Sequence, residues 1–174
     1  MESWLVKIEQ IATDVAKQNG CELYDVELVG TGQGRVLRVF IDKDETGIGI
    51  EDCSNVSKGM TAILDENEDL VPGGMYNLEV SSPGLDRHLK KSAHFDKVVG
   101  KKIYVQLSQN LGSIGATDKT ILNMKKFEEV LAGFEDEHLI FNFKNETVKV
   151  PLNIVDKAKL TFEMQQNTKG PKKK

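Results

Sequence analysis

The stretch from Met75 to Arg87 constrains this chain most, because it dictates where a strand has to stop. Tyr76, Leu78 and Val80 alternate with Asn77, Glu79 and Ser81, the two-residue period of a strand with one face on a core. Ser81-Ser82-Pro83-Gly84 ends that strand: proline presets φ, and glycine supplies a left-handed position. Asp86 and Arg87 follow at once, so charged groups sit just beyond a rigid turn, where they can offer a fixed polar surface to a partner.

The chain before this point alternates helix and strand. Trp4, Leu5, Ile8, Ile11, Ala12 and Val15 form one apolar stripe, which predicts a helix over 2–18, with Asn19-Gly20 as its stop. Cys21 to Val29 and Arg35 to Asp42 read as strands joined by the turn Gly30-Thr31-Gly32-Gln33-Gly34. Cys53, Val56, Met60, Ile63 and Leu64 mark a second helix over 50–67, with Glu51 and Asp52 well placed in its first turn. The order α-β-β-α-β predicts an α+β sandwich with both helices on one face of a small sheet.

Beyond it the pattern changes. A short helix over Ala93–Val99 precedes strand-like runs at Lys102–Leu107, Phe127–Phe134, Leu139–Phe143, Thr147–Val150 and Ala158–Phe162. One helix and about five closely spaced strands predict a small closed β-barrel. Asn110 to Asn123 is polar and rich in Gly and Thr, so a long mobile loop is expected there. The expected domains are 1–90, an α+β unit, and 91–164, a barrel, followed by a disordered basic tail over 165–174.

Charge supports a division near Lys90. Met1 to Lys90 holds 8 Lys/Arg and 17 Asp/Glu, whereas Lys91 to Lys174 holds 15 Lys and 10 Asp/Glu. An acidic unit suits a basic protein partner, and a basic unit suits phosphate. The overall charge of −4 argues against a general nucleic-acid binder. The amphipathic, charged start excludes a secretory leader, and no apolar run is long enough to span a membrane. Cys21 and Cys53, without a CxxC pair, fit free thiols in a reducing cytoplasmic location.

The motifs that invite catalytic readings fail on context. The Gly30–Gly34 run leads into a strand rather than a phosphate-binding helix, and no P-loop is present. Ser81, Ser82, Asp86 and His88 crowd one short segment, with no GxSxG elbow, so no triad is expected. His88, His94 and His138 lack ligand spacing, so no metal site is expected. The acidic run Asp65-Glu66-Asn67-Glu68-Asp69 reads either as a solvated helix end or as a site for a cation or basic protein. Lys101-Lys102 and Lys125-Lys126 are candidate phosphate contacts, but no platform of aromatic and basic residues is visible around them.

Several segments together resemble the bacterial ribosome maturation factor RimP family. These are the hairpin Leu23–Asp42, the helix start Ile50–Ser57, Val71-Pro72-Gly73, the signature Tyr76–Arg87, His94-Phe95 with Val99-Gly100, and Ile154–Leu160. Two features depart from the family: His88 stands where proline is usual, and the loop Ser108–Met124 is longer. The resemblance implies an N-terminal domain of KH-like topology, although no GxxG loop lies between the helices, and a C-terminal Sm-like β-barrel. It implies a non-catalytic, cofactor-free, monomeric factor for assembly of the small (30S) subunit. The implied partners are the free subunit, a basic small-subunit ribosomal protein and rRNA. The alternative is a stand-alone Sm-like RNA-binding regulator. Candidate contact or hinge residues are Ser82, Pro83, Gly84, Asp86, Arg87, Arg38, Lys101 and Lys102.

Overall fold

The computed structural model describes residues 2–43, 46–84 and 87–161. It divides into two compact units, one ending at Pro83 and the next beginning at Gly84.

The first unit contains α1 (Ser3–Gln18), β1 (Glu22–Val29), β2 (Val36–Asp42), α2 (Ile50–Asp65) and β3 (Asn77–Ser81). The strands form one sheet in the order β1-β2-β3. The β1–β2 pair is antiparallel, whereas β3 runs parallel to β2, as a connection through a helix permits. Leu37, Val39 and Ile41 of the central strand are completely buried. Ile8, Ala12 and Val15 of α1 and Val56, Met60 and Leu64 of α2 share their core. Both helices therefore cover one sheet face, as the apolar stripes require. The helices approach closely at Gly59, where an added Cβ would lie 2.7 Å from Val15 Cγ1.

Arg35, just before β2, is buried. Its guanidinium donates to the carbonyl oxygens of Pro72 and Gly74, and its own carbonyl accepts from Asn77 N–H at 2.9 Å. One residue thereby fixes both the loop before β3 and the first rung of the parallel pair. Gly73, at φ +90°, leaves room for it: a Cβ there would stand 2.7 Å from Arg35 Nη1.

The second unit contains α3 (Ser92–Val98), β4 (Lys102–Leu107), β5 (Lys126–Glu135), β6 (His138–Asn142), β7 (Thr147–Pro151) and β8 (Val155–Leu160). Its sheet is antiparallel throughout, in the order β7-β6-β5-β4-β8. β5 pairs with β4 through its first half and with β6 through its second, bending at a bulge between Leu131 and Gly133. The core gathers Phe95, Ile103, Val105, Leu131, Leu139, Phe141 and Val150, with Phe127 edge-on to Phe141 at 5.0 Å. His94 is buried at the start of α3, and its Nδ1 accepts from the Lys90 and Lys91 amides.

Three expectations change. The division falls before residue 90, because Arg87–Leu89 already pairs with β8: Leu160 N–H donates to Arg87 O, and Leu89 N–H to Ala158 O. The expected closed barrel lacks a closing ladder, since among the described residues β7 and β8 are not hydrogen-bonded to each other. They are joined by a 3-10 turn, Leu152–Ile154. The segment expected to be a mobile loop is built: Leu111 and Ile121 are buried in the core, and a 3-10 turn spans Leu111–Ile114. The Glu146 carboxylate accepts from the Thr117 and Asp118 amides, and Asp118 accepts from Thr120 and Asn145. Two spaced apolar residues anchor a polar stretch whose local composition does not reveal them. The tail over 165–174 lies outside the described residues.

Gly73→Ala is expected to destabilise the first unit by ~2–3 kcal/mol, from left-handed strain plus collision with Arg35. Gly74→Ala, where a Cβ meets nothing within 4 Å, should lose only the strain, ~1–2 kcal/mol. Urea unfolding of both variants checks the order. Asp118 is held below its ordinary 3.8, mainly by the Thr120 amide and then by the Thr120 hydroxyl and Asn145. Its folded pKa is lowered, so its contribution is present above 3.8 and is lost as pH falls through the lower folded value. Protection against amide exchange in residues 117–122, corrected for the intrinsic slowing of exchange in acid, should therefore fall below pH 3.8 in wild type and at neutral pH in Asp118→Ala.

Candidate nucleic-acid interface

The candidate residues divide among three places. Ser82 and Pro83 end the first unit, Ser82 exposed and Pro83 half-buried. Ser81 Oγ donates to the Ser82 carbonyl at 3.1 Å. Gly84 has φ +81° and open space where a Cβ would be. Arg87 is half-buried, with its carbonyl engaged by β8. Asp86 lies outside the described residues, and so does any pairing it makes with Arg87. His88 bridges Lys159, so its backbone belongs to the second sheet.

Arg38 occupies the face of β2 opposite Leu37 and Val39. The register places Glu27 beside it on β1 and Glu79 on β3. Its guanidinium is 3.8 Å from Glu27 and 3.5 Å from Glu79. The Nε–Glu79 approach is ion-pair contact without hydrogen-bond geometry. One cation between two carboxylates leaves this row net negative, which is poor chemistry for phosphate. Arg38 thus lies within ion-pair range of both neighbouring strands.

Lys101 is exposed after Gly100, and its backbone is tied to Val98 and Leu131. Lys102 opens β4, where Ile103, Val105 and Leu107 point inward and Lys102, Tyr104 and Gln106 outward. The neighbouring strands extend this outward row. Tyr104 lies between Glu128 on β5 and Lys159 on β8, and Gln106 between Lys126 and Lys157. Lys159 Nζ sits 6.0 Å from the Tyr104 ring centroid. Four lysines, 102, 126, 157 and 159, thus share one face with an aromatic ring, accompanied by Glu128. Lys125 is drawn aside, its ammonium donating to the Ser108 carbonyl at 3.3 Å.

This face corrects the expectation that no aromatic-basic platform exists. Sequence reasoning missed Tyr104, Lys157 and Lys159. Alternation marks them as outward on their own strands, but only the order β5-β4-β8 makes them neighbours. The arrangement can hold phosphates and stack one base, and it presents no pattern for reading base edges.

Ser81 is turned to its neighbour's backbone, and His88 is engaged with β8. Among the described residues no group of three or more His, Cys, Asp or Glu gathers as metal ligands, and no helix is long and apolar enough to cross a membrane. Cys21 and Cys53 are free thiols, both pushed up chiefly by burial and then by the charge of Asp52.

Arg38→Leu should lower stability by ~0.5–1 kcal/mol at low salt, as it leaves Glu27 and Glu79 unneutralised on half-exposed positions. The difference from wild type should shrink in high salt, which urea midpoints at two ionic strengths would show.

Against known families, residues 11–86 match the model described as the RimP N-terminal domain. The match spans most of the first unit and ends within the signature turn.

Proposed function

The chain belongs to the RimP family of ribosome maturation factors, and on that premise we propose that it assists assembly of the small (30S) subunit without catalysis, binding the free subunit. The observation that carries the reading is the domain match together with a lysine-and-tyrosine face on the second unit. The face would lie against rRNA phosphates, and the acidic first unit against a basic small-subunit protein. Binding that favours one conformation of an assembling particle shifts its population by the differential affinity alone. No bond need be made or broken.

The finer fold reading belongs to the same proposal. A KH-like first domain is supported by the order α-β-β-α-β with β3 parallel to β2. An Sm-like second domain is supported by a helix followed by five antiparallel strands, with the fifth beside the first. Ser82, Pro83, Gly84, Asp86 and Arg87 are proposed as a ribosome contact, as are Lys101 and Lys102. Arg38 is the weakest of the set, since its charge is already matched. A monomer in the cytoplasm completes the reading.

Co-sedimentation with free small subunits, complete ribosomes and naked rRNA across a salt series tests it. Selective binding to free small subunits is expected. Lys126→Glu with Lys157→Glu should weaken that binding about tenfold or more and flatten its salt dependence. Arg87→Ala should weaken it with the fold retained, as circular dichroism would show. Equal binding to naked rRNA that collapses with salt would favour the RNA-binding regulator instead. Binding to none of the three would sink both readings.

A further inference from the structure

A groove of about 730 Å³ runs along the first unit between α2 and β3. Ser57, Thr61, Leu64 and Asp65, spaced as one helix stripe, form one wall, and Asn77 and Leu78 form the other. Met75, 87% exposed, and the half-buried Tyr76 lie at one end. Asp65, Glu68 and Asp69 line the same groove.

Three observations give it a chemistry. First, β3 is an edge strand. Asn77 donates to Arg35, so Asn77, Glu79 and Ser81 turn their backbone groups toward β2. Leu78 and Val80 consequently aim their N–H and C=O groups outward, and among the described residues β3 has no second partner strand. Second, an exposed methionine beside a tyrosine gives an adaptable apolar contact next to that edge. Third, the carboxylates gather where helix physics disfavours them. Asp65 is the last residue of α2, Glu66 caps it, and no basic residue occupies its last turn. The negative end of the helix dipole is thus loaded with more negative charge. Among the described residues no cation lies within 4 Å of Asp65, Glu68 or Asp69. The charge of Asp65, after burial, helps push the Tyr76 hydroxyl up.

We propose that this groove receives an extended, lysine- or arginine-rich segment of a protein partner, which adds to the sheet along the free edge of β3. The added strand satisfies the Leu78 and Val80 backbone groups, its apolar side chains meet Met75 and Tyr76, and its cations meet the three carboxylates. RNA is the disfavoured occupant, since its phosphates would face the same charges. The inference rests on the proposed function only for the partner being ribosomal; the chemistry comes from the groove.

The test uses a fluorescent synthetic peptide of about twelve residues, long enough to exceed one strand, alternating arginine with valine. Anisotropy with the full chain should show binding, and amide exchange should slow at Leu78 and Val80. A copy of the peptide N-methylated at every residue, so that neither of its edges can donate, should not bind. Asp65→Asn/Glu68→Gln/Asp69→Asn should weaken binding about tenfold while its melting temperature stays or rises, because dipole repulsion is relieved. Undiminished binding by that variant, equal binding of the methylated peptide, protection at another edge, or tighter binding of a single-stranded RNA oligonucleotide would each overturn the proposal. None of these readouts involves small subunits, so the proposal can fail while subunit binding stands.

Discussion

The buried guanidinium of Arg35 is the contact on which the first unit depends. A cation taken out of water has to find acceptors, and Arg35 finds the carbonyls of Pro72 and Gly74. Those contacts bring the loop after α2 back beside the start of β2. The Arg35 carbonyl then takes the Asn77 amide, and β3 runs parallel to β2 from there. A parallel neighbour must be delivered by a crossover, and the crossover here is α2, packed by Val56, Met60 and Leu64. The β3 edge, the α2 groove and the Glu27–Arg38–Glu79 row all follow from that placement.

The two units show how strand alternation separates stability from surface chemistry. On β2, Leu37, Val39 and Ile41 supply the core while Arg38 crosslinks neighbours on the other face. On β4, Ile103, Val105 and Leu107 supply the core while Lys102 and Tyr104 face outward. The same period-two rule yields a net negative row in one sheet and a basic face in the other. The difference lies in which residues the adjacent strands bring alongside: glutamates from β1 and β3 in the first, lysines from β5 and β8 in the second.

Much of this is legible in the order of residues alone. The helix stripes, the strand alternation, the stop at Ser-Ser-Pro-Gly and the change of charge are local, and each element forms within a few residues of where its pattern places it. The loop after β4 is not legible in that way, because Leu111 and Ile121 become core only when β4, β5 and β7 surround them. Nor is the role of Arg35, which reads as an ordinary charge at a strand start and acts through carbonyls far along the chain.

By itself, the sequence determined the kind of each element, because helix and strand periods are properties of neighbouring residues. It also determined the family resemblance, carried by short motifs in a fixed order. Only the tertiary structure decided which strands adjoin, and with that which charges meet. Arg38 was thereby matched by two glutamates, Tyr104 was set among lysines, and Asp65, Glu68 and Asp69 were left along an open groove. The physical reason is that hydrogen-bonded pairing between strands, and the electrostatics that follow from it, join residues that no local period connects.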